Sequence, residues 1–188
     1  MDEYEYYVIM SNKGPSLSIL GSDILLTGKR IEPKRTLTYV FKDPITITTL
    51  TDHMMAPHSI ISKKIYEVLE PMNINSIQLL PSRILDLDRN IHEPFWAIHI
   101  PLKIRCIDEE LSDCKILGSI VTRIKKIVLD KKVLSEIPLN DRLVFRLKEH
   151  STIKLYHKSV KDAIEAVNGK GIRFVNIEEW TRGSYFKK

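Results

Sequence analysis

Cysteine is scarce: Cys106 and Cys114 are the only two in 188 residues. Two thiols cannot staple a small secreted fold, and a zinc site needs further thiol or imidazole partners at set spacing. The expectation is two reduced, partly buried thiols and no metal. Glycine is also sparse and unpatterned, with seven residues. Gly28-Lys29 hints at a phosphate loop. Gly21, however, lies too far upstream, and Arg30 stands where a magnesium-holding Ser or Thr belongs. No G-x-G-x-x-G follows a strand and no G-x-S-x-G occurs, so no cofactor is expected. No apolar run reaches the ~18 residues of a membrane helix. The opening "MDEYEYYVIM" is acidic and aromatic, without the basic start and apolar stretch of a secretory signal. A cytosolic location with no membrane partner is the expectation. Low-complexity sequence is absent, and 1–188 reads as a single domain.

What is present is a mild positive charge, +5 from 29 basic and 24 acidic residues. That permits nucleic acid or an acidic partner. Arg123, Lys125, Lys126, Lys131 and Lys132 concentrate it within 123–132. The stretch lacks the interleaved aromatics on which bases stack. A solvated strand face is the favoured reading, and a nucleic-acid-binding module the alternative function.

A phrase is written twice. "SKKIYEVLEPMNINSIQLLP" (Ser62–Pro81) aligns with "HKSVKDAIEAVNGKGIRFVN" (His157–Asn176) when shifted by 95 positions. Ile61, Ile65, Val68, Leu69 and Met72 form one stripe of an amphipathic helix, and Tyr156, Val160, Ala163, Ile164 and Val167 repeat the spacing. Ser62 is an expected N-cap, Ser159 and Asp162 resemble a capping box, and Pro71 and Asn168-Gly169 stop the helices. A strand should follow each. The echo is either an internal duplication or one physical solution reached twice.

Around the copies the chain reads as strands. Tyr4–Met10, "DILLTGKRI", "RTLTYVF" and "PITITTL" make 1–52 β-rich, with a turn at Asn12–Pro15. "FWAIHIPLKIRCI", "SIVTRIKKIVLD" and "RLVFRLK" make 93–148 β-rich, with a trace of helical pattern in Glu109–Leu117. The fold class is α+β: a mostly antiparallel sheet system with two helix–turn–strand units, about 58–81 and 156–177. By segment, these are a β-rich N-terminal stretch 1–52, a helix–strand unit 58–84, a β-rich middle 93–148, and a helix–strand unit with tail 152–188.

Chemistry-bearing clusters are few. Asp52, His53 and His58 offer a carboxylate and two imidazoles, without a metalloprotease spacing. His99 with Cys106 would make a nucleophile pair if brought together, though His99 inside an alternating strand reads better as a hydrogen-bonded structural histidine. An enzyme of unrecognised type is therefore a third option, and no catalytic residue is assigned. Asp86, Asp88 and Arg89 form a charged loop, as do Asp108, Glu109 and Glu110. The tail gathers Trp180, Arg182, Tyr185 and Phe186, residue types that anchor interfaces. Trp180 either does so or closes the second unit by packing on the sheet. The candidate partner-binding residues are thus Trp180, Arg182, Tyr185, Phe186, Asp86, Asp88 and Arg89.

The order of features carries a resemblance. "YYVIM" leads, followed by "HSIISKKIYEVLEPMNINSIQLLPSRI", "FWAIHIPLKIRCIDEELS", "LVFRL" and "KSVKDAIEAVNGKGIRFVNI". This resembles the bacterial polymorphic-toxin immunity protein family numbered eleven, formerly a domain of unknown function. The resemblance spans nearly the whole chain and contains no catalytic signature. It implies a cytosolic, non-catalytic inhibitor that binds and neutralises a cognate toxin protein. Asp108 and Ser112 fall in the matching segment and read as caps on local backbone donors. Net positive charge suits an acidic toxin or a mostly apolar plug, and disfavours mimicry of nucleic acid.

Overall fold

The computed structural model describes residues 3–11, 17–19, 28–32, 36–41, 50–55, 58–117 and 120–185. The "PITITTL" strand, the Asn12–Pro15 turn and most of "DILLTGKRI" lie outside the described residues.

In chain order the strands and helices begin with β1 (Tyr6–Ser11), β2 (Leu17–Ile19), β3 (Leu37–Phe41), β4 (His53–Met54) and β5 (Ser59–Ser62). The first copy continues through α1 (Lys63–Leu69) to β6 (Gln78–Leu85) and β7 (Ile91–His99). Then come β8 (Lys103–Ile104), β9 (Asp113–Leu117), β10 (Ile120–Lys126) and α2 (Lys131–Ser135). β11 (Val144–Leu147) precedes the second copy, which supplies β12 (Lys154–His157), α3 (Lys158–Ala166) and β13 (Ile172–Asn176). The chain is α+β and mainly sheet.

Two larger sheets form, in the orders β2-β3-β6-β7-β5-β4 and β13-β1-β12-β11-β8, beside a β9–β10 hairpin. Most pairs are antiparallel; β3 with β6 and β8 with β11 are parallel. Glu109–Leu117 holds no helix: Asp108 accepts the Glu110 and Leu111 N–H groups, closing a turn that runs into β9. The four apolar residues there (Leu111, Cys114, Ile116 and Leu117) do not hold so short a segment helical, since a helix of that length is marginal without packing.

The echo has a structural meaning. β5 and β12 lie 95 positions apart, and so do the starts of α1 and α3. Each copy is a strand–helix–strand unit whose two strands are parallel and split by a third, antiparallel strand. In the first copy that strand is β7, the next along the chain. In the second it is β1, from the other end of the chain. Equivalent residues share one core: Ile61 and Tyr156, Ile65 and Val160, Leu69 and Ile164 are all buried in a single cluster where α1 and α3 meet. Burying each such side chain contributes roughly 2 kcal/mol. Asn73 and Asn168, again 95 apart, both turn the chain after their helices in the left-handed region, at φ 47° and 50°. A short polar side chain tolerates that conformation.

The five-stranded sheet is covered on both faces, which explains why "YYVIM" is apolar without clean alternation. Tyr6, Val8 and Met10 face one core with Phe145, Leu147 and Leu155; Ile9 faces the helix side. One correction concerns the expected capping box. The α3 N-cap is His157, whose Nδ1 accepts the Ser159 N–H at 3.2 Å, so Ser159 is a donor to the cap and not the cap itself.

Candidate functional site

The β6–β7 hairpin reaches its tip at 86–90, and Asp86 builds the turn. Its carboxylate accepts the Asn90 backbone N–H at 2.7 Å, the Asn90 side-chain amide at 2.9 Å and His92 Nε2 at 3.1 Å. Those hydrogen bonds, Asn90 foremost, hold its carboxyl below the usual range. Arg89 completes the turn in the left-handed region at φ 62°. Asp86 is therefore committed to the turn. Asp88 and Arg89 are exposed, and their side chains bond no described residue. Beside them Leu87 and Ile91 expose 51% and 53% of their surface. Of the three large apolar side chains this exposed among the described residues, Leu87, Ile91 and Leu111, two stand at this turn. Neither stands out in the sequence; the only signal is an apolar residue between the acids of "DLD" and another just past the turn.

The tail divides differently. Trp180 is 1% exposed and packs in the core with Ile177, Leu134 and Phe145, so its ring presents no surface to a partner. Arg182 and Tyr185 bound a short 3-10 helix. Phe186 lies outside the described residues. The Ser184 carbonyl accepts from Arg173 at 2.8 Å, tying this helix to β13.

The basic stretch is split between two elements. Arg123, Lys125 and Lys126 are exposed on β10, where Lys125 pairs with Asp113 at 3.1 Å. Lys131 and Lys132 sit on α2, with Lys131 over the Tyr4 ring.

The sequence-level clusters do not assemble into one site. Asp52 is a connector between copies: its backbone and carboxylate bond Lys170, and it accepts from Ser62 Oγ at 2.6 Å. His53 bonds Ser59 Oγ through Nε2 at 2.7 Å, and burial pushes it down to about 3. His58 bonds the Tyr39 hydroxyl at 2.9 Å, and burial takes it to about 4. His99 Nε2 donates to the Lys29 carbonyl at 2.7 Å. Cys106 is buried in a different core cluster, and burial raises its thiol far above the range of a nucleophile. Among the described residues no group of His, Cys, Asp and Glu could hold a metal ion. Asp108 and Ser112 do cap local backbone, the latter bonding both the N–H and the C=O of Val128.

A family model described as "Immunity protein family (Imm11)" matches residues 27–179. The match takes in both copies of the strand–helix–strand unit and the hairpin tip between them. No curated protein matches the chain. Among the described residues no helix is long and apolar enough to cross a membrane.

Proposed function

The chain belongs to the immunity protein family (Imm11), and from that premise we propose that it binds a cognate bacterial toxin and neutralises it by contact alone, in the cytosol of the cell that makes it. The family match over 27–179 carries this reading. Supporting it, Cys106 and Cys114 are both free, as suits a reducing compartment. We centre the proposed contact on the hairpin tip. Leu87 and Ile91 supply apolar area, and Asp88 and Arg89 supply a charged rim of both signs. A stable complex would cover roughly 800 Å² on this side, an area the tip can centre but not fill.

The test is co-expression with the toxin encoded beside this gene. The expected result is a co-purifying complex of defined stoichiometry and restored growth of toxin-producing cells. Growth of those cells without this protein, or toxicity undiminished in its presence, would overturn the reading.

A further inference from the structure

Where the two copies meet, a half-open cleft of about 390 Å³ lies between the β5 start, the β7 end and the β11–β12 hairpin. Arg146 and Lys154 line it, with His58, Ser59, His99 and Ser151. Arg146 and Lys154 stand directly opposite each other in the β11–β12 pairing. Like charges at such a position are destabilising. Arg146 is further partnered in register by Lys103 on β8, so three cations cross three adjacent strands.

Nothing described offsets this charge. Among the described residues no carboxylate lines the cleft. Arg146 Nε and Nη2 are buried without a hydrogen-bond partner, and the Lys154 ammonium is acted on by burial and by the Arg146 charge, with no described carboxylate beside it. Burial and the neighbouring guanidinium bring the Lys154 ammonium down to about 8, which leaves it mostly charged at neutral pH. Shielded cations without partners are costly to maintain in a fold. They sit at the junction of the two copies, where Ser59 and Lys154 occupy equivalent positions.

The geometry points to a binding site for a phosphate-class oxyanion, held between Arg146 and Lys154. Two uncompensated cations call for a ligand near −2, which phosphate and its monoesters supply at neutral pH. A lone carboxylate supplies half of that. Guanidinium N–H groups match phosphate oxygens in geometry, and the ammonium adds a point charge. The volume falls in the range of small-ligand pockets, roughly 300–1,000 Å³, so the body of a small ester fits beside the phosphate. The site is separate from the hairpin tip and does not depend on the toxin reading.

Titration of the full chain with inorganic phosphate by calorimetry, against sodium chloride and sodium acetate at matched ionic strength, tests it. One saturable phosphate site is expected. R146M and K154M should each weaken it by roughly tenfold or more, the loss of a charge-assisted hydrogen bond. K126M, which removes an exposed cation on β10, should leave it unchanged. Without phosphate, K154M should melt no lower than the parent, since it relieves repulsion; a cation needed for packing would melt lower. No saturation beyond chloride, equal binding of acetate, or equal loss in K126M would each overturn the proposal.

Discussion

Ser62 and His157 hold the same place in the two copies, each ending a strand and serving as N-cap of the helix, but only His157 caps with its side chain. Ser62 turns its hydroxyl to Asp52 instead, at 2.6 Å. His157 accepts the Ser159 N–H through Nδ1, which requires the neutral ring. Burial, aided by the Arg142 charge, holds it neutral by lowering its affinity for protons. Protonation would remove the cap.

The same sign applies to His53, His58 and His99, all lowered chiefly by burial. The unfolded chain takes up these protons near 6.5, the folded chain only at lower pH. Their contribution is therefore intact above pH 6.5 and lost as pH falls toward about 4 for His58 and about 3 for His53. His53 alone should cost about 2 kcal/mol between pH 6.5 and 5. Urea unfolding at pH 7 and pH 5 should show a clearly lower midpoint at the acid value, and H53Q should shrink the difference.

Arg142 is 1% exposed and ties the start of the chain to the segment after α2. It donates to the Ile137 carbonyl at 2.9 Å, the Glu3 carbonyl at 2.9 Å, the Tyr6 hydroxyl at 2.7 Å and the Glu3 carboxylate at 2.6 Å. R142M strands the buried Tyr6 hydroxyl and the part-buried Ile137 and Glu3 carbonyls, and should cost roughly 3 kcal/mol. E3Q leaves the carbonyl bonds in place and removes only a half-exposed ion, so it should cost under about 1 kcal/mol. Equilibrium unfolding of the two variants checks the ratio.

Gly171 sits at φ 77°, and a Cβ there would meet the Thr51 side chain at 2.6 and 2.8 Å. G171A combines left-handed strain with a collision against a β-branched residue that is itself fixed by a bond to the His53 carbonyl. It should cost about 2 kcal/mol or more. G169A meets the far ends of two side chains, Ile172 at 2.7 Å and Ile65 at 3.1 Å, and with no left-handed strain it should cost less. Thermal melting of both variants separates the two cases.

The helices and their following strands were legible because a buried stripe and a stop signal are local features: Ile65 with Leu69, Val160 with Ile164, then Pro71 and Asn168. The partner strand of the second copy was not legible. β1 reaches it across about 150 residues, and pairing at that range leaves no periodic trace. Two local readings also failed. His157 took the capping role expected of Ser159, because its imidazole nitrogen can accept like a hydroxyl oxygen. The short β9 replaced a weak helical pattern by pairing with β10. Of the proposed contact residues, Asp88 and Arg89 were named from their charge, and Asp86, named with them, holds the turn. Leu87 and Ile91 escaped because an apolar residue in a strand-rich segment is assumed to be inside, and only the turn made by Asp86 shows them outside.

That turn allows the contact proposal to be tested without disturbing the fold. Leu87 and Ile91 are half exposed, so L87D and I91K remove little buried area and should leave the melting temperature nearly unchanged. D86A is the counterpart. It deletes three hydrogen bonds within the hairpin and should lower the melting temperature while leaving both apolar side chains in place. If the tip is a centre of the toxin interface, L87D and I91K should each weaken binding by at least roughly tenfold, the typical loss at an interface anchor. D86A should weaken it less, and only through a looser turn. Surface plasmon resonance with the toxin domain, alongside the melting temperatures, reads both quantities. Full affinity in an L87D/I91K double variant would move the interface to another face of the molecule.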